Sequence, residues 1–79
     1  MTRRDIIVQI LAEASGRPLE GAGELFDAMV REEMIHNVDL DEVFSSGQAE
    51  EMLRNFRAEL PGIRRWLCET GLLSDCGHA

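Results

Sequence analysis

Cys68, Cys76 and His78 form the only cluster of thiol and imidazole donors in the chain, and His36 would complete a set of four. Structural zinc sites pair their ligands about two to four residues apart. Here seven residues separate the two cysteines, and only Cys76 and His78 are close. The expectation is therefore no metal and no cofactor, with Cys68 a helix thiol at the edge of a core, Cys76 a thiol in a tail, and both reduced. A Cys68–Cys76 disulfide is the alternative, suited to an oxidising compartment.

Nucleophilic catalysis needs a base held against a nucleophile and a third group to orient the base. His36 stands near Asn37 and Asp39, with Ser45, Ser46 and Cys68 as nucleophiles, but no motif orders them. The acid pairs Glu32/Glu33, Asp39/Asp41 and Glu50/Glu51 fall on solvated segments, without the contrasting burial that makes one carboxyl an acid and its neighbour a base. Asp39-x-Asp41 begins like a calcium loop, yet Val43 and Phe44 stand where that loop needs an oxygen ligand and a glycine. Ser15, Ser45, Ser46 and Ser74 lack the Asp-before, Leu-after setting of a phosphopantetheine attachment site. No catalytic residue is expected, and the chain reads as a non-enzyme.

Charge is more informative than any of these. The net formal charge is −7, and ten of the fifteen carboxylates lie between Glu20 and Glu51, where Arg31 is the sole basic residue. Such a segment repels nucleic acid and anionic lipid and attracts a basic protein surface. Glu24, Asp27, Glu32, Asp39, Asp41 and Glu50 are the candidates for an exposed, protein-binding acidic face. The chain is accordingly expected to be a small acidic protein–protein interaction module, acting as a regulatory inhibitor that occupies a basic, nucleic-acid-binding site on its partner. In general terms an acidic surface on so small a chain resembles the inhibitors encoded by mobile elements, which occupy such sites on host complexes.

Two other readings compete. Arg54, Arg57, Arg64 and Arg65 fall in twelve residues that hold one acid, Glu59, so the third and fourth helices can imitate a DNA-binding helix-turn-helix regulator. Against it, the presumptive reading helix has no Asn or Gln for adenine. The other reading is a structural homodimer without a ligand. Ile6, Ile7, Val8, Ile10 and Leu11 wrap more of the first helix than a two-layer bundle covers, which predicts a contact between copies through Val8 and Leu11.

The elements that must position these residues are helical throughout. Thr2 and Asp5 start a helix over 2–15 that Gly16 stops; Pro18 opens one over 18–35. A short helical turn at 40–44 precedes a third helix over 46–60, capped by Ser45 or Ser46, and Pro61 opens a fourth over 61–70 that Gly71 closes. Apolar spacing of three and four predicts a compact all-α four-helix bundle, one domain over 1–73 with a tail at 74–79. Phe26, Phe56 and Trp66 are expected in a common core, with Leu40, Val43 and Phe44 plugging its end. No apolar run exceeds three residues, as at Ile6-Ile7-Val8, so no membrane span is expected, and the chain is placed in the cytoplasm.

Overall fold

The computed structural model describes residues 1–35, 38–74 and 76, and within them the chain is an all-α bundle: α1 (Arg3–Ser15), α2 (Leu19–Arg31), α3 (Ser46–Arg57) and α4 (Leu60–Glu69). The helix α1 is the hub, and the other three all pack on it. Its side chains serve two clusters. Leu11 and Ala14 join Ala22, Leu25, Phe26 and Met29 of α2 with Leu67 of α4, whereas Ile6 and Ile10 meet Ala49 and Leu53 of α3. Much of the apolar girth of α1, for which the sequence suggested a second copy, packs against three neighbours in the same chain. Leu11 is only 3% exposed and belongs to the core, while Val8 remains half-buried.

The first turn of α1 leaves orphan N–H groups that any helix start must satisfy. Thr2 and Asp5 form a capping box, with Asp5 N–H donating to Thr2 Oγ1 at 3.2 Å and Thr2 N–H to Asp5 Oδ2 at 3.0 Å. The next two donors find carbonyls from far along the chain: Arg3 N–H reaches Glu42 O at 2.9 Å, and Arg4 N–H reaches Leu40 O at 3.1 Å. Arg3 also clamps this segment through its side chain, donating to Asp39 O and Glu42 Oε1 and lying over the Phe44 ring. The turn expected over 40–44 is consequently a single one at Leu40 and Asp41, closed by Glu42 N–H on Asp39 O. Beyond it the backbone extends, and Val43 forms an isolated antiparallel bridge with Thr2. That geometry turns Val43 outward, 73% exposed, so it does not plug the core; Leu40 and Phe44 do pack against it.

The helix ends are set by local backbone chemistry. Gly16, at φ 74°, closes α1 with its N–H on Ala12 O. Helix α2 stops at Arg31 rather than 35 because Glu33 takes a left-handed φ of 58°, and Met34 N–H turns back to Met29 O. On α2 the buried spacing is Ala22, Leu25, Phe26 and Met29, while Leu19 and Val30 are exposed. Ser45 caps α3 in a second capping box with Gln48. Helix α3 ends at Arg57, and α4 begins at Leu60 with Pro61 in its first turn, where the missing N–H costs little.

Phe26, Phe56 and Trp66 do not share a core. Phe26 is 1% exposed in the α1–α2–α4 cluster, Phe56 packs half-buried against the α1–α3 cluster, and Trp66 is 40% exposed. Leu67 occupies the inward direction on α4. After Gly71, at φ 84°, Leu73 N–H returns to Leu67 O and the Leu73 side chain is buried. A Cys68–Cys76 disulfide fixes this return, with Cα atoms 5.9 Å apart. The expectation of two reduced thiols is thereby overturned: neither cysteine is free. Within the segment read as a tail, Cys76 is half-buried and packed against the core.

Candidate protein-binding surface

The carboxylates Glu24, Asp27, Glu32, Asp39, Asp41 and Glu50 are all exposed. They do not form one continuous face. On α2, Glu20, Glu24 and Asp27 recur at i, i+4 and i+7, a stripe along the side opposite the buried Ala22, Leu25 and Met29. Glu32 ends that helix, Asp39 and Asp41 belong to the connecting segment, and Glu50 stands on α3, which packs on a different cluster from α2. Among the described residues, the one ion pair of these six is that of Asp27 with Arg4 Nη2 at 3.5 Å; the Arg4 guanidinium also lies 4.8 Å from the centre of the Phe26 ring. Asp39 Oδ1 accepts from Asp41 N–H, which orders the connecting segment.

The four arginines of the rival site divide in two. Arg57 is bound through two donors to Glu13, and Arg64 Nη1 donates to Ala14 O at 2.9 Å. Both therefore act on the last turn of α1, which contains no basic residue of its own and carries the acid Glu13 where the helix dipole disfavours it. Arg57 and Gln9 hydrogen bonds hold the Glu13 carboxyl below its ordinary range, and the Arg57 guanidinium is correspondingly raised. Arg54 and Arg65 are exposed and make no ion pair among the described residues. Sequence reasoning grouped the four by spacing and missed the C-terminus of α1 as the feature that claims two of them.

An apolar groove of about 210 Å³ opens where all four helices approach. Ile7, Ile10 and Leu11 of α1 form its floor side, with Met29, Phe56, Ile63 and Trp66 from α2, α3 and α4 around it, and no polar surface lines it. Trp66, expected in the core from the sequence, instead stands 40% exposed at the groove.

The histidines His36 and His78 lie outside the described residues, and with them the proposed four-donor set and the His36-centred nucleophile arrangement. No helix among the described residues is long and apolar enough to cross a membrane. Comparison with known protein families, curated proteins and solved structures finds no match.

Proposed function

We propose that this chain is a small protein-binding module whose acidic surface docks on a basic site of a partner protein, acting as a regulatory inhibitor where that site normally holds nucleic acid. The observation that carries this reading is the openness of the acidic array: Glu24, Asp27, Glu32, Asp39, Asp41 and Glu50 are all exposed, and among the described residues one of them, Asp27, is ion-paired. Unpaired carboxylates spaced along a helix steer a basic surface toward themselves and suppress anionic competitors. Because Glu24 and Asp27 are mounted on a folded helix, the backbone entropy of arranging them is already lost on folding rather than on binding.

The DNA-binding alternative is weakened by the commitment of Arg57 and Arg64 to α1, which leaves Arg54 and Arg65 against a net charge of −7. The homodimer alternative rests on Val8 without Leu11. The test is a pull-down from source cells with the wild-type chain and with the Glu24→Lys/Asp27→Lys/Glu32→Lys variant. Loss of a salt-sensitive partner on reversal supports the reading, and full retention of every partner rejects it.

A further inference from the structure

We infer that the groove between Ile7, Met29, Phe56, Ile63 and Trp66 seats the apolar side chains of a basic amphipathic helix from the partner protein. The inference rests on the acidic-surface reading and names where such a partner is gripped.

The first ground is shape. At about 210 Å³ the groove is smaller than the roughly 300–1,000 Å³ of small-molecule sites, and its lining offers no polar group to orient a metabolite. It suits one or two apolar side chains presented by a helix face. Met29 and Trp66 are also the residue types that interfaces favour, one adaptable in shape and the other a large anchor.

The second ground is charge at the groove's ends. Glu32 lies three residues beyond Met29, Glu59 four before Ile63, and Glu69 three beyond Trp66, so each stands one helical turn from a lining residue, and all three are exposed. Of the basic groups nearby in sequence, Arg57 is held by Glu13 and Arg64 by the Ala14 carbonyl, while Arg31, Arg54 and Arg65 stand one or two residues from a lining residue and so on other sides of their helices. An apolar slot with carboxylates beyond its ends complements an apolar stripe flanked by Lys or Arg. A second copy of this chain would bring another net charge of −7 to the same place, which disfavours it as the occupant.

Trp66 is the only tryptophan, and there is no tyrosine, so intrinsic emission reports on the groove directly. Three labelled helical peptides without Trp or Tyr serve as probes of the full chain: a Leu/Lys amphipathic peptide, a scramble of identical composition without an apolar stripe, and a Leu/Glu counterpart of the first. The Leu/Lys peptide should shift Trp66 emission to the blue and bind about ten- to a hundred-fold more tightly than the scramble. Trp66→Ala, a change at an exposed position, should remove most of that margin by peptide anisotropy and leave scramble binding as it was.

Equal binding of the Leu/Lys peptide and its scramble, with Trp66 emission unmoved, overturns the groove and leaves the acidic-surface reading standing. Binding of the Leu/Glu peptide as tight as that of Leu/Lys retains an apolar site but overturns both the basic occupant and the reading beneath it. Absence of binding by all three overturns both as well. A blue shift that follows protein concentration alone, with a doubled mass by light scattering, makes a second copy the occupant and rejects the inference.

Discussion

Arg57 Nε and Nη2 donate separately to the two oxygens of Glu13, each at 2.8 Å, and so fasten the end of α3 to the last turn of α1. The paired geometry is the strongest form of arginine–carboxylate contact. It also places a positive charge where the α1 dipole needs one. Because the folded state holds the Glu13 carboxyl below its ordinary value of about 4.5, the contribution to stability is present above that pH and is lost as pH falls through the depressed folded value. Denaturant midpoints measured from pH 7 downward should therefore fall more steeply for the wild type than for Glu13→Gln. Near pH 2 the gap between the two should close. Asp5 shifts the same way, first through the backbone N–H of Thr2 and then through its hydroxyl, so part of the acid sensitivity should survive in Glu13→Gln.

Phe26 and Trp66 have unequal roles that unfolding experiments can separate. Phe26 is 1% exposed, and its truncation to Ala should cost about 3–5 kcal/mol, enough to unfold most of so small a domain. Trp66 is 40% exposed at a groove rim, so Trp66→Ala should cost no more than about 1 kcal/mol. Urea titrations followed by far-UV circular dichroism measure both; equal losses would return Trp66 to the core.

The helices were legible where a capping residue or a glycine announced them. Thr2 with Asp5, Ser45, Gly16 and Gly71 all act at the positions their types imply. The end of α2 was not legible, because a glutamate, Glu33, adopts the left-handed conformation that sequence reasoning reserves for glycine or asparagine. The segment 40–44 was only half legible: its capping-like Asp39 and Glu42 suggest a helix, but the Leu40 and Glu42 carbonyls are drawn to the N–H groups of α1, a contact between residues far apart in the chain. For the same reason the arginines could be counted and spaced but not assigned. Whether Arg57 is free or bound to Glu13 depends on how α3 lies against α1, and spacing within one helix carries no information on that.

The disulfide makes a direct chemical prediction. Native protein should take up no iodoacetamide at Cys68 or Cys76, and both should label after reduction under denaturing conditions. Cross-linking residues eight apart restricts the unfolded chain and, by the loop-entropy estimate, stabilises the fold by about 2 kcal/mol. Cys76→Ser should lower the melting temperature accordingly, and Leu73→Ala, which empties a buried site in the disulfide-bonded protein, should cost more than an exposed change would. Quantitative labelling of native protein would show that the bridge does not form.

The four arginines can be sorted by what each removal damages. Arg64 supplies a charged hydrogen bond to the exposed-carbonyl end of α1, so Arg64→Ala should cost roughly 1 kcal/mol, and Arg57→Ala should also destabilise. Arg54 and Arg65 make no ion pair among the described residues, and an Arg54→Ala/Arg65→Ala variant should unfold within about 0.5 kcal/mol of the wild type. This division bears on function because a DNA-binding surface would require the guanidinium groups to be available for phosphate. Fluorescence anisotropy with a labelled duplex at low salt should accordingly detect no micromolar binding by the wild-type chain. Micromolar, salt-sensitive binding that the Arg54→Ala/Arg65→Ala variant loses without losing stability would instead place the two free arginines on nucleic acid, and the acidic-surface reading would give way to the helix-turn-helix one.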